Sequence, residues 1–249
     1  MTHRDIDRDG WDQVQNLYSR SPTRRLAVLE GLCKQKHTLA RLAAQALASD
    51  PNVDVRMRAV ELLGEVGTRS DLPRLLDGLR DAAWSVRASA ADSLGLLGGR
   101  RAWSALCRAM TEDQNANVRR YAAVALASGG RDIASGPLAA ALRDERNPSA
   151  LVGIYSALYD LGDAARLAEL LDLLHHRDTM VRFQVLAALD DLRPQDVPRA
   201  VAALQALLAR EECLGVVGNA RALLATLEAR MASFPPDSST TTAVPGNAD

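Results

Sequence analysis

The chain has little lysine, few aromatics, few cysteines and no long apolar run, and each shortage removes a class of function. Only Lys34 and Lys36 of its 30 basic residues are lysines, an arginine bias that a GC-rich genome produces by itself. The formal net charge of -1 gives no global field for gathering nucleic acid or an anionic membrane. Cys33, Cys107 and Cys213 stand far apart, at no metal-ligand or redox spacing. They read as small buried hydrophobes and suit a reducing compartment. The opening residues, Met1 to Gly10, mix charges where a signal peptide would be apolar. No run of about 18 uncharged apolar residues occurs, so a cytoplasmic, membrane-free protein is expected. Aromatics make up 4% of the 249 residues while Ala and Leu dominate, which favours helix-on-helix packing over a sheet.

What is present is a repeat. Val55-Arg56, Val86-Arg87, Val118-Arg119 and Val181-Arg182 recur at steps of 31, 32 and, across one degenerate unit, 63 residues. The first three copies come about five residues after an Asp (Asp50, Asp81, Asp113), and all run into Ala/Leu-rich helical patterns. A fixed period of this length marks a solenoid, in which each unit buries its apolar face only against its neighbours. Each unit reads as a helix A, a short polar turn and a helix B.

The boundaries are set by caps, glycines and apolar period. The first unit has a weak helix over 11–18 and a B helix over 23–32, with the signature decayed to Arg24-Arg25. The next three pair 38–49 with 53–66, 71–80 with 84–97, and 101–111 with 117–128. Asp71-Leu72-Pro73 reads as a cap and then a first-turn proline. The fifth pairs 133–144 with 149–161, and there Ala150-Leu151 replaces Val-Arg. The sixth pairs 164–175 with 179–192, and the seventh 197–211 with a long final helix over 214–231. Residues 1–232 are thus expected to form one all-α solenoid, a right-handed superhelix of about seven antiparallel helix pairs. Residues 233–249 lack apolar periodicity and are expected to be a disordered tail.

The pattern of Asp, four residues, Val-Arg, two residues, then Ala-Ala or Ala-Val and a closing Leu-Gly resembles the HEAT repeat, in the short bacterial form of phycobilisome-lyase-like HEAT proteins. The resemblance covers about residues 38–192. It implies a hydrogen-bonded ladder between successive units, built from Asp50/Arg56, Asp81/Arg87 and Asp113/Arg119, with Asp178/Arg182 at a shorter spacing of four. Physics points the same way. An arginine in the first turn of a helix faces the wrong end of the macrodipole, so a recurrent one needs a carboxylate, and its fork suits a bidentate partner.

Catalytic constellations are sparse. His175-His176 project about 100° apart on a helix and cannot chelate one ion together. HEAT-fold deoxyhypusine hydroxylases use His-Glu pairs, and no such dipeptide occurs. HEAT-like DNA glycosylases use Trp and Asp in a basic groove; Trp84, Trp103 and Asp113 fit this superficially, but Asp113 belongs to the ladder. No metal ligand set, cofactor site or catalytic residue is expected. The chain is instead expected to be a non-enzymatic scaffold, a monomer that binds a protein partner in a concave groove. A lyase-type HEAT enzyme subunit is one alternative. Another is nucleic-acid binding through Arg100, Arg101, Arg108, Arg119, Arg120 and Arg131.

If helix B lines the groove, counting from each Val anchor places Met57, Arg58, Glu61, Glu65, Ala88, Ser89, Asp92 and Leu96 on it, a polar, acidic-leaning stretch. Further along, the same positions gather Arg120, Tyr121, Val124, Val152, Tyr159, Phe183 and Gln184, with Tyr155 beside them. Tyrosine with arginine and apolar neighbours has the composition of a binding hot spot, so these eight are the expected partner-binding residues.

Overall fold

The computed structural model describes residues 15–35 and 38–233, apart from the side chains of residues 34, 35, 38, 131 and 132. The expected first helix falls largely outside the described residues, and so does nearly all of the expected tail. Among the described residues the regular structure is helical throughout, as the composition requires. None of the helices is long and apolar enough to cross a membrane.

The chain divides at Leu170/Leu171 into two compact units. In the first, α1 (Pro22–Gln35) is a lone B helix. Four A/B pairs come next: α2 (Thr38–Leu47) with α3 (Val53–Val66), α4 (Leu72–Gly78) with α5 (Trp84–Leu97), α6 (Arg100–Glu112) with α7 (Ala116–Gly129), and α8 (Arg131–Asp144) with α9 (Pro148–Asp160). Helix α10 (Arg166–Asp172) holds the boundary. The second unit contains α11 (Thr179–Ala188), α12 (Val197–Leu208) and the long α13 (Leu214–Ser233), with α13 packed on both of the others.

The polar turns before α3, α7 and α9 end in an Asx-type cap, while Ala83 before α5 makes no such bond. Asn52 Oδ1 accepts from the amides of Asp54 and Val55, Asn115 Oδ1 from Asn117, and Asn147 Oδ1 from Ser149. These bonds take up amide donors that a helix start leaves orphaned. The A helix α4 begins differently from the sequence expectation. Residues Arg69–Asp71 form a 3-10 turn, and the fully buried Asp71 accepts from Thr68 N (2.8 Å) and from Arg41 Nε (2.7 Å) rather than capping α4. Pro73 does lie in the first turn of α4.

Within the first unit each B helix packs along the next, α3 on α5, α5 on α7, and α7 on α9. The signature residues Val55, Val86, Val118 and Ala150 are completely buried and anchor that stack. Small residues bring the axes together. A Cβ on Gly95 would lie 2.8 Å from the Cβ of Ala125 on α7, and one on Gly153 would lie 2.5 Å from the carbonyl oxygen of Arg120.

Candidate functional site

The repeated arginines form a ladder, with a different partner from the one six residues upstream. Arg56 places Nε and Nη2 2.7 and 2.9 Å from the two carboxylate oxygens of Asp81, one unit ahead. Arg87 grips Asp113 in the same way at 2.8 and 3.0 Å. The upstream residue contributes its backbone: Arg56 Nη1 donates to the carbonyl of Asp50 and Arg87 Nη1 to that of Asp81. Each Asp also receives the amide two residues on, as Asp81 does from Ala83 (2.8 Å). One carboxylate therefore closes its own turn while pairing with the preceding unit, a bidentate, charge-assisted arrangement.

Three rungs have partners that the spacing did not reveal. Arg25, in the decayed first signature, holds Asp50 at 2.6 and 2.7 Å and is the most deeply buried rung. Arg119 pairs with Glu145 (2.6 and 3.1 Å) and Arg182 with Glu211 (2.6 and 2.9 Å). The expected Asp178/Arg182 pair is corrected. The Asp178 carboxylate accepts from Met180 N and caps α11, because only four residues separate it from Arg182. The register instead assigns the upstream position to His176, whose carbonyl accepts from Arg182 Nη1 (2.8 Å). His176 Nδ1 also accepts the Asp178 amide, the turn-closing bond that an Asp makes elsewhere.

The electrostatics reflect this geometry. The hydrogen bond from Arg56 holds the Asp81 carboxyl below the usual range, with burial opposing it. Arg182 does the same for Glu211. At Asp113 and Glu145 burial is the largest influence and pushes upward, but the arginine and backbone hydrogen bonds together leave both depressed.

The eight residues counted onto the α3 and α5 groove face all line one trench of about 370 Å³, joined by Trp84, Ser85, Ser93 and Tyr121. A chain of polar contacts crosses it. Cys33 Sγ on α1 donates to Glu65 (3.0 Å), Arg58 Nη1 donates to Glu65 (3.1 Å) and Glu61 (3.3 Å), and Ser89 donates to Glu61 (3.0 Å). The bond to Glu65 holds the Cys33 thiol proton and pushes its pKa up. Asp92 has no hydrogen-bond or ion-pair partner among the described residues; desolvation, then the nearby Glu61, pushes its carboxyl up. Trp84 and Leu96 stand out from the rim as two of the exposed large apolar side chains.

The expected aromatic site is largely dispersed. Tyr121 lines the trench, and the Arg120 guanidinium lies 4.2 Å over its ring, with Nε buried and unpaired. Val124 and Tyr155 are half-buried on α7 and α9. Val152 and Tyr159 are core residues, only 1% and 3% exposed. Tyr159 falls nine residues after Ala150, the register at which Gly64 and Gly95 come after Val55 and Val86, so it faces the neighbouring B helix rather than the groove. Val152 adjoins Gly153, where α9 meets the Arg120 backbone. In the second unit Gln184 shares the buried stripe of Val181 and Val185, and the Phe183 ring packs on Gly215.

Of the arginines considered for nucleic acid, Arg119 is a rung and Arg120 stacks on Tyr121, while Arg100, Arg101 and Arg108 are exposed. The Arg131 side chain lies outside the described residues. Trp103 packs on Gly98 and Gly129, a filler of the α5–α7 contact. No group of three or more His, Cys, Asp or Glu among the described residues could hold a metal ion.

Comparison with known proteins agrees with the helix pairs. The chain is 29% identical over 147 residues to the phycocyanobilin lyase subunit alpha of a Picosynechococcus species, covering 57% of this chain and 46% of that protein. The chain thus spans about half the length of that relative. Among solved structures it resembles the complex of CpcE and CpcF of phycocyanin lyase from a Nostoc species. The TM-score is 0.59 at 20% identity, over 86% of this chain and 93% of that one, a likeness of fold. The model for HEAT repeats matches residues 14–95, 39–127 and 72–149, together more than half of the 249 residues, and the chain belongs to the HEAT-repeat family.

Proposed function

We propose that the chain is a binding subunit of a lyase-type HEAT assembly, acting with a second protein on a bilin-type substrate, and that its trench on α3, α5 and α7 holds the protein component. The observation that carries this is the sequence match to a lyase subunit over 147 residues. The fold likeness to a chain of a two-component lyase complex supports it. The trench suits a holding role: it is open, it mixes carboxylates with Trp84 and Tyr121, and the Cys33 thiol bonded to its Glu65 keeps its proton.

The test is a titration of the purified protein with phycocyanobilin, monitored by visible absorbance and induced circular dichroism. The lyase-type reading expects a saturable shift of the bilin band with an induced dichroic signal. An unchanged spectrum up to a large excess of protein would remove the bilin and leave the second reading, a non-enzymatic protein-binding module. That reading is favoured by Trp84 and Leu96, exposed on the same α5 face as the partnerless Asp92, which is partner-surface chemistry.

A further inference from the structure

The trench has two chemically different ends. Helices α3 and α5 pack along one another, so position along the chain reads as position along the trench. At the N-terminal end Met57, Trp84 and Tyr121 form an apolar, aromatic lining. Toward the C-terminal end the floor carries Glu61, Glu65 and Asp92. Arg58 is the one cation among the described lining residues, and it is shared between Glu61 and Glu65. Among the described lining residues three carboxylates face one guanidinium.

Asp92 is exposed and has no partner of its own among the described residues, while Ser93, next to it, is occupied with the Val60 carbonyl at 3.0 Å. A lone carboxylate beside a second one, in a trench walled by Met57, Ala88 and Leu96, has much to gain from an incoming cation. Trp84 and Leu96 cap the two ends of the same α5 face, 46% and 66% exposed, so an occupant would find apolar contact at either end of the acid.

We propose that this trench recognises an extended polypeptide segment of the partner in which an apolar side chain, seated at Trp84 and Tyr121, lies four residues before or after an arginine or lysine, seated at Asp92 and Glu61, so that both face the trench. The spacing is dictated by the helix. Trp84 and Asp92 are eight residues apart on α5, about 12 Å at 1.5 Å per residue, and an extended chain covers that distance in three to four residues at about 3.3 Å each. Free cations would gain only the charge term and apolar peptides only the aromatic end. The protein's own C-terminal residues 234–249 contain no Lys or Arg and do not match the acid.

This inference rests on the trench being the partner surface and says nothing about the bilin. The experiment is fluorescence anisotropy with three fluorescein-labelled peptides: Leu-Ala-Ala-Ala-Arg-Ala, its norleucine analogue in place of the arginine, and a version with leucine and arginine adjacent. Each is titrated with the full chain and with Asp92→Asn, Glu61→Gln and Trp84→Ala, variants at exposed or half-exposed positions whose folding is checked by helical circular dichroism.

The expected result is saturable binding of the first peptide, at least about tenfold tighter than either analogue, with a similar loss in Asp92→Asn and in Trp84→Ala. Equal binding of the arginine and norleucine peptides, weakened by Trp84→Ala and indifferent to Asp92→Asn, would overturn the cation while leaving the trench as a partner surface. Equal binding of the spaced and adjacent peptides would overturn the spacing. Absence of binding by all three would overturn the proposal together with the assignment of the trench. Self-association of the chain with Trp84 buried on dimerisation would give the trench to a second copy and overturn it as well.

Discussion

A rung arginine makes contacts in two units at once: its Nε–Nη2 edge grips the next unit's carboxylate while Nη1 holds the carbonyl that begins its own turn. Lysine could make one of these contacts but not the pair, which accounts for arginine at every rung. The carboxylate is equally committed, so removing either partner leaves the other partly buried and unpaired. Arg25–Asp50, with side chains 10% and 3% exposed, should be the most sensitive rung. Asp50→Asn is expected to cost about 3 kcal/mol in urea unfolding, and Arg56→Met, at a more solvated rung, about 1–2 kcal/mol. Asp50→Asn within about 0.5 kcal/mol of wild type would sink the claim that this rung holds the stack. The pH dependence has a definite sign. Asp81, Asp113, Glu145 and Glu211 are all depressed in the folded chain. Their contribution is complete above the ordinary carboxyl pKa of about 4 and fades as pH falls through the lower folded values. Acid unfolding monitored at 222 nm should begin below about pH 4, and in Asp81→Asn the pH-dependent part of the stability should shrink. An unfolding profile unchanged in slope by that substitution would show that the rungs do not drive it.

At the scale of the helix the stack depends on how closely the B helices approach. Gly153 lets α9 touch the Arg120 backbone, and that approach also fixes Arg120 over Tyr121 at the aromatic end of the trench. Because a Cβ there meets a carbonyl oxygen at 2.5 Å, backbone must move. Gly153→Ala is therefore expected to destabilise by about 1–3 kcal/mol, offset only slightly by alanine's better helix propensity. A variant as stable as wild type in a thermal melt would mean that α9 slides without resistance. The contrast between α3 and α9 also explains which part of the site the sequence disclosed. Counting from Val55 and Val86 placed eight side chains on the trench because α3 and α5 keep the repeat register and leave that face open. The same count failed at Val152 and Tyr159 because burial depends on the neighbouring helix, and Gly153 had already closed that gap. The ladder was legible as far as its aspartates. Glu145 and Glu211 escaped because they hold the aspartate's place in the register, six residues before Leu151 and Val217, where neither the Asp nor the Val-Arg of the pattern is present. Arg25 escaped because Arg24 beside it hid the register.

For the molecule as a whole, the ladder and the unit boundary share one region of sequence. In the first unit the rungs run from Arg25–Asp50 to Arg119–Glu145, and in the second Arg182–Glu211 continues the motif. Between them Leu151 stands where the register calls for arginine and His176 where it calls for a carboxylate. His176 retains the turn-closing bond to the Asp178 amide, so the local fold of the turn survives the exchange of charge. The first unit has its own continuous core, from Val28 on α1 to Leu158 on α9. In a solenoid, stability is close to a sum of unit and nearest-neighbour terms. The chain truncated after Asp172, the end of α10, should therefore keep its helical signal per residue and unfold cooperatively in urea. The cost of Asp50→Asn should be the same in the truncated and full-length chains within about 0.5 kcal/mol, as for sites that share no neighbours. A truncated chain that binds hydrophobic dye and melts without a transition would show that the first unit depends on the second for its fold. A cost that differs between the two chains by several times that margin would show that the first rung is coupled to the far end, and the nearest-neighbour description of this solenoid would have to be abandoned.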